Sequence, residues 1–283
     1  MPFSNARGEM YPFVTHTHNP IKGGCWNILH GYGCRYCFVG IKQLGRGQYN
    51  DALILHEDEL KDQYKPGKVY FVGSAVDMFH PNVSDDDIGR ILSNCDLWQR
   101  QCPASLEKPK YLFQTKNPER FQKFLGEIPL DSTLATTYET DDEKLYGAMS
   151  RAPKPNERLE AMQKVYEEAG DLYSFMLSVE PIMKHLSLGR FVDKVVQIPW
   201  DLVSIGADSC EAIAREKQPA IDYLTFLARD LEHAGLKVLI KSNCLNLAEN
   251  PRASDAVEHW DYNGWIYHRE QEKKETATQG SFL

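Results

Sequence analysis

Residues 23–38 read GGCWNILHGYGCRYCF, a loop that carries three cysteines, Cys25, Cys34 and Cys37, in the spacing C-x8-C-x2-C with no fourth cysteine nearby. A structural zinc site usually has four protein ligands, and a cubane iron–sulfur cluster likewise has four irons to be ligated. Three thiolates around a cubane leave one iron for another ligand. Glycines at 23, 24, 31 and 33 let the backbone pass close to an inorganic core. The Cys34-Arg35-Tyr36-Cys37 turn can wrap two corners of one cluster, with Tyr36 beside a flat ligand at the open iron. The competing reading is a tetrahedral zinc site completed by His16, His18 or His30.

Just before this loop lies FVTHT (13–17), the first of seven short runs rich in valine, isoleucine and tyrosine. The others are KVYFVGS (68–74), KYLFQT (110–115), TLATTY (133–138), YSFMLSVE (173–180), LVSIGA (202–207) and KVLIKS (237–242). Helical stretches separate them. SDDDIGRILSNCDLWQR (84–100) opens on Ser84 as N-cap with acidic residues in its first turn, where the helix dipole favours negative charge. NPERFQKFLG runs from Asn117 and Pro118 to Gly126, and further helices are expected near 155–169 and 219–234. The alternation predicts an α/β fold of repeated strand–helix units around a parallel sheet, with the cysteine loop after the first strand. One catalytic domain is expected over 1–262, followed by a solvated tail over 263–283.

Ligands of parallel α/β barrels gather at the carboxyl ends of the strands. After the cysteine loop those ends read GSAVDMFHP, QTKNPER, TTYETDD, SVEP, IGADSC and KSNC, so seven polar segments on one rim would form a site.

With 283 residues and 42% hydrophobic content, the chain can bury a core of barrel size. Its net charge of −8, from 32 basic and 40 acidic residues, disfavours a nonspecific DNA binder. Seven cysteines are an odd set, with Cys95, Cys102, Cys210 and Cys244 scattered away from the loop, unlike the even framework of a secreted disulfide scaffold. They read as reduced thiols or metal ligands. No apolar run of about twenty residues suggests a membrane span, and the start MPFSNARGEMYPF lacks the apolar core of a secretory signal. A cytoplasmic protein is the expectation.

The loop THNPIKGGCWNILHGYGCRYCF (17–38), together with VYFVGSAVDMFHP, YLFQTKNPERF, LATTYET, APKPNERLEAM, FMLSVEPIM and VSIGADS in order, resembles the radical S-adenosylmethionine superfamily. Within it the chain resembles the phage- and microbe-associated three-Cys-motif family, over roughly residues 1–245. Two departures stand out: the usual superfamily spacing is C-x3-C-x2-C, and Cys210 stands where relatives usually have glycine. The resemblance implies an α/β fold in the form of a partial (β/α)6 TIM-like barrel, with Cys25, Cys34 and Cys37 holding a 4Fe-4S cluster and S-adenosylmethionine chelating its fourth iron. Reduced flavodoxin or ferredoxin would then supply the electron that yields a 5′-deoxyadenosyl radical. It also implies cofactor contacts from Tyr36, from Gly73, Ser74 and Asp77 to the methionine amino group, from Thr137 and Glu139 to the ribose, and from the backbone around Gly206 to the adenine.

His80, Lys116, Glu180 and Cys210 are the expected catalytic residues, in a rim that also holds Asp208 and Lys241. Each has a structural reading: Lys116 and Glu180 as partners inside the barrel, His80 as a hydrogen-bonded loop residue, Cys210 as a small buried hydrophobe instead of a hydrogen-atom donor. A nucleic acid or nucleoside is the expected substrate. The motives are the family's phage association, its likeness to DNA photoproduct repair lyases, and the basic-aromatic stretch KPKYLFQTKNPERFQKF (108–124). A peptide or small metabolite is the alternative, and a non-enzymatic zinc module the third.

Overall fold

The computed structural model describes residues 3–6, 10–25, 33–43, 52–210, 212–213 and 217–247. His30, Gly31 and the expected tail at 263–283 lie outside them. Strand β1 (Phe3–Asn5) is antiparallel to β2 (His16–His18), and β3 (Ile21–Lys22) pairs with β4 (Ile54–Leu55) beside the cysteine loop, which runs into α1 (Phe38–Gln43). From β2 onward the sheet continues in chain order through β5 (Val69–Val72), then α2 (Asp85–Gln101), β6 (Lys110–Thr115), α3 (Glu119–Phe124) and β7 (Thr133–Thr137). It proceeds through α4 (Glu143–Met149), α5 (Pro155–Ala169), β8 (Ser174–Val179), α6 (Leu188–Val195), β9 (Leu202–Ile205) and α7 (Ile221–His233) to β10 (Val238–Ile240). The described residues thus form seven parallel strands with β1 as an antiparallel edge, a partial TIM-like barrel.

Period-two alternation assigns each strand two faces. Tyr70, Val72, Phe113, Leu134, Leu177 and Val203 pack in the main core. Phe71, Leu112, Ala135, Met176, Leu202 and Leu239 form a separate cluster with Tyr11 and Val14. Two positions further along each strand the residues on this second face turn polar, giving Gln114, Thr137, Ser178, Ser204 and Lys241. An apolar floor and a polar mouth follow, and each fully buried Leu or Phe contributes ~1.5–3 kcal/mol to holding the floor.

All seven expected strands are present, but the first is displaced. Residues 13–15 do not extend β2. Val14 N–H bonds back to Tyr11 C=O at 3.0 Å, and Tyr11 and Val14 fill the second cluster. The α2 start is as expected, with Ser84 Oγ accepting from Asp87 N–H at 3.1 Å. Ser84→Ala should cost about 1 kcal/mol in a denaturant melt, with an unchanged slope. At α3 the expected cap is displaced: Asn117 donates instead to Phe79 C=O at 2.9 Å, and Pro118 takes the cap position. Three further helices, α1, α4 and α6, stand where the sequence predicts none. No helix among the described residues is long and apolar enough to cross a membrane.

Candidate active site at the strand ends

The carboxyl ends of all seven parallel strands open on one cavity of roughly 510 Å3, a size typical of small-molecule sites. Cys25, Cys34 and Cys37 line it after β2, Gly73 to Asp77 after β5, Lys116 after β6 and Thr137 on β7. Glu180, the segment Ala207 to Cys210, and Lys241 complete the rim after β8, β9 and β10. Of the expected site residues, His80, Glu139 and Gly206 do not line it.

The second half of the cysteine loop is anchored to the end of α4. Arg35 N–H donates to Met149 C=O at 2.9 Å, Cys34 Sγ lies 3.0 Å from Ser150 Oγ, and Cys37 N–H closes a turn onto Cys34 C=O at 3.0 Å. Tyr36 packs with Met149, Met183 and Ile213. Burial raises the Cys25 thiol well above its ordinary value and pushes Cys37 up to about 11. Backbone N–H groups oppose that rise, from Asp77 at Cys25 and from Val39 and Gly40 at Cys37. Amide hydrogens directed at sulfur are a device by which proteins support metal-bound thiolates. Among the described residues no three metal-ligating side chains converge on one point. A cubane interposes inorganic atoms between its thiolates, so its ligands stand around a volume, and Cys25, Cys34 and Cys37 all line one cavity.

Behind the loop sits a charge cluster. Glu139 and Arg158 are fully buried, with Arg158 Nη2 2.7 Å from Glu139 Oε2, and Lys116 Nζ pairs with Glu139 Oε1. Tyr36 Oη donates to the same Oε1 at 3.0 Å, and Thr137 Oγ1 bonds Lys116 Nζ at 2.8 Å. Burial works to raise the Glu139 pKa, but Arg158 and Lys116 outweigh it and hold the carboxyl down at about 2. The structural reading that paired Lys116 with Glu180 is therefore corrected: Glu180 pairs with Lys241 at 2.5 Å. The register decides this. Thr115 faces Thr136 across the β6–β7 ladder, so Lys116 emerges beside Thr137 at the end of β7, with Glu139 just beyond it. Arg158, from the APKPNERLEAM segment, was absent from the expected site, because an arginine in an amphipathic helix reads as a surface residue until the packing of α5 against β7 is known.

Gly73 has φ +83°, and a Cβ there would stand 3.1 Å from Val76 C=O. It allows the turn that carries Ser74 and Asp77 over the cavity. Ser74 Oγ is bonded to Asn19, and Asp77 accepts from Thr115 Oγ1 at 2.7 Å and Lys116 N–H at 2.9 Å. At Gly206 a Cβ would stand 2.6 Å from Glu180 Cδ, so glycine leaves room for the Glu180–Lys241 pair. Asp208 accepts from Cys210 N–H at 2.9 Å and Ile213 N–H at 2.7 Å, presenting Cys210 to the cavity. His80 accepts from Asn82 N–H at Nδ1, and its C=O takes Arg120 Nη1 at 2.6 Å, the loop role.

The histidines proposed for zinc have other environments. His16 Nδ1 lies 2.9 Å from Thr15 Oγ1, and His18 Nδ1 lies 2.5 Å from Tyr64 Oη, with Nε2 3.2 Å from Glu59 C=O. Neither lines the cavity. Burial lowers the His18 pKa from 6.5 to about 4. Below pH 6.5 the unfolded chain binds a proton that the folded ring resists, so stability should fall as pH drops from 6.5 to about 4. The loss amounts to at most about 3 kcal/mol, and His18→Gln should flatten it in denaturant melts across that range. The aromatics of the 108–124 stretch are also corrected. Tyr111, Phe113, Phe121 and Phe124 are at most 2% exposed, so they are core and offer no stacking platform.

No protein-family model matches the chain, and no curated protein matches it. Solved structures do. A spore photoproduct lyase complexed with dinucleoside spore photoproduct aligns at TM-score 0.53 and 12% identity, over 83% of this chain and 79% of that one. A point mutant of spore photoproduct lyase aligns at TM-score 0.52 and 12% identity, over 82% and 78%. The chain is similar to spore photoproduct lyase in fold. At this identity the likeness shows the fold alone, and chemistry has to be argued from the residues.

Proposed function

We propose that the chain is a radical S-adenosylmethionine enzyme acting on a nucleic acid or nucleoside. The observation that carries it is the gathering of Cys25, Cys34 and Cys37 with the ends of all seven parallel strands around one cavity. Cys25, Cys34 and Cys37 would hold three irons of a 4Fe-4S cluster. Gly73, Ser74 and Asp77 would orient the methionine end of S-adenosylmethionine, with Thr137 and the Gly206 segment toward its nucleoside end and Tyr36 beside it. Glu139 supports this site from behind Tyr36 and Lys116. When bound, cluster and S-adenosylmethionine supply a 5′-deoxyadenosyl radical that removes hydrogen from carbon, with a reduced flavodoxin or ferredoxin as electron source.

Lys116, Glu180, Lys241 and Cys210 line the remaining wall and would position the substrate. The nucleoside reading draws on the fold likeness to a lyase complexed with a dinucleoside photoproduct. Its test is anaerobic reconstitution with iron and sulfide, reduction with S-adenosylmethionine, and detection of methionine and 5′-deoxyadenosine. Deuterated nucleosides and oligonucleotides then follow, with transfer of label into 5′-deoxyadenosine expected. Protein that binds no iron and sulfide sinks the radical reading; cleavage without label transfer sinks the nucleoside substrate alone.

A further inference from the structure

The charge cluster behind the cysteine loop is unbalanced. Lys116, Glu139 and Arg158 carry two cations against one carboxylate, and two of the three side chains are fully buried. Tyr36 joins them to the loop, with its hydroxyl on Glu139 and its ring 5.4 Å from Lys116 Nζ. Lys116 lines the same cavity as Cys34 and Cys37, and Tyr36 lies between those two cysteines in the chain. Tyr146 takes the Arg158 guanidinium on its ring at 4.8 Å, and Tyr146, Arg158 and Glu139 are all buried. In such surroundings a fixed charge acts over longer distances than in water.

We propose that Lys116, Glu139 and Arg158 form a positioning group whose surplus positive charge raises the reduction potential of a cluster held by Cys34 and Cys37. The inference rests on the proposed cluster, and it assigns a task to the buried arginine of the APKPNERLEAM segment. Reduction adds one negative charge to the cluster, and a neighbouring net cation favours the reduced form. Asp77 lies close to Cys25, but each substitution below leaves it in place, so the sign of the shift follows from the charge removed.

The test is a potentiometric titration of anaerobically reconstituted protein without S-adenosylmethionine, comparing wild type with Lys116→Met, Glu139→Gln and the double variant. Lys116→Met should lower the reduced-to-oxidised ratio at the wild-type midpoint about tenfold, which is about 59 mV for one electron. Glu139→Gln should shift the midpoint the opposite way. The double variant keeps the surplus at one positive charge, carried by Arg158, and should return close to wild type. If Glu139→Gln does not fold, Lys116→Met against the double variant still decides. Loosening of the loop alone predicts shifts of one sign, largest in the double variant, and that result or the absence of any shift overturns the proposal. Wild-type protein that takes up no cluster overturns instead the reading on which it rests, so the two failures are distinguishable.

Discussion

Cys34→Ala protein, reconstituted with iron and sulfide, is expected to lose the cluster's visible absorption and to form no detectable 5′-deoxyadenosine, a fall in activity of at least about a thousandfold. Cys25→Ala and Cys37→Ala should behave alike, because a cubane on three protein ligands has no spare thiolate. The controls are the other cysteines. Cys102 sits at the end of α2 and Cys244 is buried with Sγ 3.7 Å from Ile205 C=O, so Cys102→Ala and Cys244→Ala should keep full iron content. Cys210→Ala is the informative control, since Cys210 lines the cavity without belonging to the cysteine loop. It should retain the cluster and S-adenosylmethionine cleavage, and any loss confined to substrate turnover would give the thiol a part in the reaction. Iron content equal to wild type in any one of the three loop variants would sink the three-thiolate assignment.

The parts of this site legible in the sequence were those encoded locally. Strand alternation, polar strand ends and the cysteine spacing each sit within a few residues, and all seven strands and the shared rim follow from them. What the sequence hid depended on register and packing. Lys116 and Glu180 stand at equivalent strand ends and looked like partners, yet the β6–β7 ladder sets Lys116 beside Glu139 and leaves Glu180 to Lys241. Phe113 and Phe121 sit among basic residues in a pattern shared by nucleic-acid strips and amphipathic elements, and only their burial separates the two. Val14 looked like strand because it is β-branched, but its neighbour Tyr11 turns the chain into the barrel interior, where its hydroxyl bonds Gln114 at 2.7 Å and Ser178 at 3.0 Å.

Arg158→Ala is expected to destabilise the fold by about 3–5 kcal/mol, the range for breaking one partner out of a buried ion pair. The arginine contributes the 2.7 Å bond to Glu139, a bond to Thr137 and its stacking on Tyr146, and its removal leaves Glu139 buried with Lys116 as its remaining cation. The pH dependence separates this electrostatic cost from the cavity the truncation also opens. In the wild type the Glu139 carboxyl is held at about 2 against an ordinary 4.5, so its stabilisation is complete above 4.5 and is lost as pH falls through about 2. In Arg158→Ala the carboxyl titrates at higher pH, because burial is no longer outweighed by two cations, and its proton relieves the buried charge. The stability difference between the proteins should therefore be greatest near neutrality and shrink as the solution is acidified toward about pH 3. Urea melts across that range would show it. A difference that stays constant with pH would mean that lost packing accounts for the whole effect and that the charge of Arg158 contributes nothing measurable to the fold.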